Sequence, residues 1–359
     1  MAKNDKILVT GAGGFVGGHM LGLLVNKGYE NILATDIVEP RKLPENVKFK
    51  KSDLCNKKSL EKVTKNVTTI FHIADLFDFF APFEKLYQVN VEGTINLCEA
   101  ATKNRVRNMV KFSSSAIYKA GENINEEGEI KPIDKYALTK LLGELEAAKF
   151  NDRDIQIMFI RPAVIYGEGS KYGAAQAFLT QALGAKLMGS MILPGQGDKK
   201  GCFVHVEDIV NGTLHLYEGS YFTKSRHFSD MAYNISDDTG ATPKEIAEMV
   251  FDNVKMNPLS KLLASKGAKL KLPRSVMDPL ATACEAAVKF AHKKGFIKSK
   301  PSLMLEKGAV DYMFLGTDLT VSNERLKSTG YEFRHPSSLE SMPEVIRWYE
   351  ETGWEMFKR

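Results

Sequence analysis

The sequence has no run of 18 or more apolar residues, so no helix is expected to span a membrane. Its first residues, Met1 to Lys6, lead straight into a strand-like segment, without the long apolar stretch of a signal peptide. Cysteine is scarce. Cys55, Cys98, Cys202 and Cys284 lie far apart with no CxxC pair, which argues against a disulfide framework and gives no metal site. Internal repeats and low-complexity tracts are also missing. No nucleic-acid-binding motif accompanies the modest net charge of +5, so a nucleic-acid partner is not expected. What remains is the expectation of a reduced, cytoplasmic, globular chain. Its 43% hydrophobic and 26% charged residues are ordinary for that class, and 359 residues suffice for about two domains.

The small net charge hides an asymmetry. Between Lys255 and Val310, twelve Lys and Arg face three acids, Asp278, Glu285 and Glu306, and the rest of the chain is mildly acidic. A solvated basic face is one reading of 255–310. The other is a surface that meets something anionic, either a phosphorylated ligand or the periphery of a membrane.

Short apolar runs alternate with helix-length segments through the first 160 residues. Strands are expected at 7–10, 32–35, 47–50, 69–73, 109–112 and 157–160, with helices at 15–26 and 83–101. That rhythm predicts an α/β fold with a doubly wound parallel sheet covered on both faces. After Arg161 and Pro162 the pattern turns irregular. Helices are expected at 172–188, 207–218, 242–254, 280–294 and 339–351. The division is therefore a Rossmann-like domain over 1–165 and a smaller, mainly helical substrate lobe over 166–359, with segments such as Tyr233 to Ile235 returning to the main sheet. In 280–294, Leu280, Cys284, Ala287, Val288 and Ala291 form an apolar stripe, the lysines lie off it, and Gly295 is the expected C-cap.

Thr10 to Gly17 follows the first strand and opens the first helix. Gly11, Gly14 and Gly17 give a GxxGxxG spacing, and Phe15 and Val16 lie between the last two. Such glycines permit a tight turn, backbone approach to a pyrophosphate and close helix–strand packing, while the helix N-terminus offers free N–H groups. Asp36 ends the second strand, where an acid would accept hydrogen bonds from ribose hydroxyls and repel a 2′-phosphate. NAD is thus favoured over NADP, although Arg41 follows closely. Asp53 and Leu54, after the third strand, are placed to reach the adenine.

Tyr136 and Lys140 stand at i and i+4 on one helix face. A neighbouring ammonium favours phenolate, so Lys140 is expected to lower the Tyr136 pKa. Ser113 to Ser115 end the preceding strand and offer hydroxyls to a substrate oxygen.

These motifs resemble the extended short-chain dehydrogenases/reductases, the superfamily of NAD-dependent epimerases and dehydratases, over nearly the whole chain. TGAGGFVGG resembles the family's glycine motif and YALTKLLGE its catalytic helix. NVEGTINLCEAA, RPAVIYGEG and FVHVEDIV resemble three further motifs in the family's order. The resemblance implies Tyr136 as general acid/base, Lys140 as its partner and ribose ligand, and Ser114 as the substrate-oxygen ligand, with Ser115 the one-residue alternative. It also implies Ala74, Asn90 and Pro162 at the cofactor, Tyr166 at the substrate, and a homodimer packed through 84–103 and 136–149. Two positions depart from the pattern. Asp75 replaces a small residue, and Lys119 replaces a glycine.

The substrate is not fixed by these motifs. Sugar-nucleotide members carry an Arg just before the motif seen here as FVHVEDIV, where this chain has Lys199 to Cys202. The C-terminal half looks more like the 3β-hydroxysteroid dehydrogenase branch. An NAD-dependent alcohol/ketone oxidoreductase for a lipophilic, steroid-like or long-chain substrate is therefore expected. The alternatives are a nucleotide-sugar epimerase or dehydratase and a non-catalytic dinucleotide-binding protein.

Overall fold

The computed structural model describes all residues except 1–4, 41, 152–154, 226, 265–268, 295–304 and 358–359. Arg41 and Gly295, named above, lie outside the described residues. The described residues form eleven strands: β1 (Ile7–Thr10), β2 (Ile32–Thr35), β3 (Val47–Phe49), β4 (Thr69–His72), β5 (Asn108–Phe112), β6 (Gln156–Pro162), β7 (Val164–Tyr166), β8 (Met191–Pro194), β9 (Phe203–His205), β10 (Ala232–Ile235) and β11 (Lys269–Leu272). The helices are α1 (Phe15–Asn26), α2 (Lys57–Val63), α3 (Phe83–Tyr87), α4 (Gly93–Lys103), α5 (Lys135–Ala148), α6 (Ala174–Met188), α7 (Val206–Glu218), α8 (Pro243–Asn253), α9 (Pro258–Ala264), α10 (Arg274–Lys293), α11 (Lys307–Met313), α12 (Glu324–Lys327) and α13 (Ser338–Glu351).

Seven strands form one sheet in the order β10-β6-β5-β4-β1-β2-β3, and every pairing in it is parallel. Successive strand side chains point to opposite faces, and here both faces are apolar. Ile7, Val9, Phe71, Val110 and Ile160 enter one core, while Leu8, Ile70, Met109, Ile157 and Phe159 enter the other. The order steps outward from β1 in both directions, as in a doubly wound sheet. It therefore sets the crevice at the C-terminal ends of β1 and β4, where loops to α1 and α3 diverge. Tyr233 to Ile235 do return to the main sheet: β10 lies parallel to β6, with Ile235 opposite Pro162.

The remaining strands make two small parallel pairs, β7 with β9 and β8 with β11. Phe178, Ile246, Val250, Ile346 and Tyr349 form a separate core under α6, α8 and α13. The α10 stripe differs from expectation. The buried side chains of α10 are Met277 and Ala281, which lie outside that stripe, whereas Leu280 and Ala287 within it are exposed. Among the described residues, a small cluster with Val310 of α11 lies beneath α10 and covers one narrow strip of it. No described helix is long and apolar enough to cross a membrane.

Candidate active site

The glycine turn is closely packed. Gly11 has φ +71°, and a Cβ there would lie 2.7 Å from the Ala74 amide nitrogen. A Cβ on Gly17 would lie 2.1 Å from the Gly11 carbonyl oxygen. Only glycine lets β1, α1 and the end of β4 approach this closely. Gly14 is the N-cap of α1 and contributes no side-chain hydrogen bond, so the first-turn amides remain for an anion. Val16 packs on the core, and Phe15 meets His19 edge-on at 5.0 Å.

Asp36 ends β2 beside this turn. Its Oδ2 accepts from the Gly13 amide at 2.9 Å and its Oδ1 from Ile37 at 2.7 Å. Asp53 is exposed and accepts from the Cys55 amide, while Leu54 is buried against Gly93, its carbonyl taking a bond from Asn96. Glycine-only packing, an uncapped helix N-terminus and a carboxylate at the β2 end fit a dinucleotide.

Buried polar bonds hold the motifs in register. Thr94 donates to the Asn90 carbonyl, so its oxygen accepts from His72 Nε2, and His72 Nδ1 accepts from Thr10. Burial, reinforced by Lys111 and Lys140, holds the His72 pKa well below the usual value, and the ring is neutral. Asn90 sits in a π-helical turn, Gln88–Glu92, between α3 and α4. Its amide bonds the Leu76 backbone through both groups and donates to Thr139 of α5 at 3.0 Å. That one side chain fixes the loop after β4 against the catalytic helix.

On α5, Asp134 caps the first turn and places Tyr136 and Lys140 on the inward face. Lys140 Nζ donates to the Phe112 carbonyl at 2.8 Å and to Asp75 Oδ2 at 2.5 Å. The Tyr136 hydroxyl donates to the same Asp75 oxygen at 3.1 Å. The expected lowering of the Tyr136 pKa is not what the structure shows. Burial pushes it well above the usual phenol value, and Asp75 adds to that by its charge and its hydrogen bond. The lysine's charge is met by a carboxylate, which sequence spacing could not reveal.

The three serines differ. Ser113 Oγ is buried without a hydrogen-bond partner among the described residues. Ser114 Oγ is half-buried and accepts from the Ala116 amide at 3.2 Å, which leaves its own proton for a substrate oxygen. Ser115 is buried and bonded toward Cys202. Pro162 is buried at the end of β6. Tyr166 is fully buried with its hydroxyl on Ser341. Lys119 is exposed and pairs with Glu129.

Two groups of residues were not anticipated. Phe77 and Phe79, from the aromatic segment LFDFFAPF after β4, meet the Tyr136 ring edge-on at 4.9 and 6.2 Å. Tyr172 and Tyr312 extend that wall through contacts with Phe77 and Phe79. The density of phenylalanine in 77–83 was the available signal. Near the start of α7, His205, Glu207 and His335 bring their ligand-type atoms within 4.8 Å of one another. The two imidazole rings lie 3.9 Å apart, tilted by 36°, and their Nε2 atoms face Glu168 and Glu207.

A parallel sheet, a glycine turn at its first crossover and a Tyr–Lys pair at the same end make the geometry of a dinucleotide-binding fold. The model of the NAD dependent epimerase/dehydratase family matches residues 7–235. Mouse sterol-4-alpha-carboxylate 3-dehydrogenase, decarboxylating, is 30% identical over 245 residues, covering 66% of each chain, so this chain spans just under two-thirds of that relative's length. A putative UDP-glucose 4-epimerase of Methanocaldococcus jannaschii is 30% identical over 223 residues, 58% of this chain and 72% of its own. The solved UDP-glucose 4-epimerase of Thermotoga maritima, with UDP-glucose, superposes with a TM-score of 0.70 at 19% identity, covering 97% and 99% of the two chains, a likeness of fold. The chain belongs to the NAD dependent epimerase/dehydratase family, of the extended short-chain dehydrogenase/reductase type, and NAD is its cofactor.

Proposed function

We propose that this protein interconverts an alcohol and a ketone on a lipophilic substrate. The observation that carries this reading is the aromatic wall against Tyr136. Phe77, Phe79, Tyr172 and Tyr312 surround the acid/base with apolar ring surface, and Phe77 and Tyr172 remain partly open to solvent. Such rings favour a hydrocarbon skeleton over a hydrated sugar diphosphate. NAD supplies or accepts the hydride when bound. Ser114 holds the substrate oxygen through its free O–H, Tyr136 gives or takes the proton, and Asn90 keeps the loop after β4 against α5. Sterol dehydrogenation by the mouse relative agrees with this reading.

The test is a screen of hydroxysteroids, long-chain alcohols and the matching ketones with NAD⁺ or NADH, followed at the nicotinamide absorbance. Turnover that disappears in Tyr136→Phe while NAD still binds supports the proposal. Turnover of UDP-sugars with tightly retained NAD, and of no hydrophobic alcohol or ketone, rejects it. We also propose that two copies pair through α5, where Leu138 and Leu145 are exposed one heptad apart. Light scattering of Leu145→Glu should then show the monomer mass.

A further inference from the structure

Asp75 occupies a position that neither the cofactor motif nor the catalytic pair accounts for. It lies just past β4, about a fifth exposed, and a single carboxylate oxygen receives both the Tyr136 hydroxyl and the Lys140 ammonium. We propose that Asp75 is a positioning residue that ties Tyr136 to Lys140 and keeps the pair in its phenol–ammonium form, so that tyrosinate forms only at higher pH. This inference rests on the alcohol/ketone reading for the reaction that the tyrosinate serves.

A lone ammonium beside a phenol stabilises phenolate. With a carboxylate on the same ammonium that stabilisation is cancelled, and the phenol gains an acceptor that only its protonated form can use. Other groups around the pair reinforce the result. Tyr312 and Asp134 bear on Tyr136 from α11 and the α5 cap, and each disfavours phenolate there. Lys111 of β5 is buried within reach of the Lys140 charge, and burial, followed by that charge, lowers its pKa to about 7. His72 feels the charges of both lysines and, with burial the larger cause, stays neutral. Phenolate at Tyr136 therefore has little cationic support beyond Lys140 itself.

The chemistry follows directly. In reduction the carbonyl carbon gains a hydride from NADH, its oxygen takes the Tyr136 proton, and the tyrosinate left behind regains a proton from solvent. Oxidation needs tyrosinate at the start and reduction ends on it, so Asp75 raises the pH at which alcohol oxidation sets in and leaves the equilibrium between the two directions unchanged.

The experiment uses full-length protein carrying tyrosine labelled at Cζ with an NMR-active carbon, the Tyr136 signal being assigned by its loss in Tyr136→Phe. Wild type, Asp75→Asn and Asp75→Ser are titrated, and NAD affinity is measured for each. The Tyr136 signal should titrate about one to three pH units lower in both variants. The acid limb of kcat/KM for alcohol oxidation should move down with it. An unmoved Tyr136 titration in a folded variant overturns the proposal. So does a variant whose change is confined to NAD affinity, since Asp75 would then be a cofactor ligand. Absence of any alcohol or ketone turnover by wild type would remove the function reading alone, because the Tyr136 titration needs no substrate.

Discussion

Arg161 of β6 and Glu144 of α5 are both fully buried and meet through two parallel contacts, Nε to Oε1 at 3.0 Å and Nη2 to Oε2 at 2.7 Å. The guanidinium also donates to Tyr118 and to the Glu126 carbonyl, and Tyr118 passes its own proton to Asn234 of β10. Every strong donor in the group has an acceptor. The catalytic helix is thereby fixed to two strands of the sheet.

Removing one member leaves the other charged in an apolar interior. Arg161→Met should cost about 3–5 kcal/mol in urea denaturation. Arg161→Met combined with Glu144→Leu should recover much of that loss, because both charges then leave together. A double variant no more stable than the single one would show that the ion pair is not the source of the cost.

Lys111 makes stability depend on pH. Burial lowers its pKa to about 7 in the folded protein, so between pH 7 and its unfolded value the unfolded chain binds more protons. Its contribution to stability therefore rises as pH climbs from 7 and is lost as pH falls back through 7. From pH 7 to 8.5 wild type should gain about 1–2 kcal/mol relative to Lys111→Met, which lacks the titration. Denaturation midpoints of the two proteins at both pH values test this.

Gly17→Ala and Gly18→Ala form a matched pair. The first puts a methyl 2.1 Å from the Gly11 carbonyl oxygen, and the second meets nothing within 4 Å. NAD affinity, read by fluorescence quenching, should fall about tenfold or more in Gly17→Ala, a cost of roughly 1.4 kcal/mol. Gly18→Ala should bind as wild type and gain about 0.5–1 kcal/mol in stability from the better helix former.

Asp36→Ser should weaken NAD binding and narrow the preference for NAD over NADP. The carboxylate that now faces the glycine turn would no longer repel a 2′-phosphate. Dissociation constants for both cofactors decide it, and an unchanged ratio would remove Asp36 from cofactor selection.

The sheet was legible in the sequence because β-branched and apolar residues fill both faces of its strands, and its strands fall within a residue or two of expectation. The cofactor turn and the Tyr136–Lys140 pair were legible for a related reason, since each is a local spacing. Legibility failed where a contact crosses the chain. Residues 83–101 read as one helix because periodicity cannot register the extra residue of the π-helical turn that carries Asn90. In α10 the expected stripe was drawn through Leu280, but the cover supplied by α11 lies over Met277 and Ala281. The sign of the Tyr136 shift was missed for the same reason. Burial, its first cause, is made by distant segments, and Asp75, which adds to it, is 61 residues away in a loop with no period to betray its direction.

The position of β10 has a consequence for how the polypeptide matures. Emerging from the ribosome, β1 to β6 are complete by Pro162, yet β6 stays an open edge until about 70 more residues have been made. During that interval an apolar, unpaired strand is exposed to solvent or to a chaperone. Nascent chains halted before Ala232 should therefore be held by chaperones or aggregate, and chains released after Ile235 should close the sheet. The family match also ends at Ile235, the last residue of the strand that seals that edge.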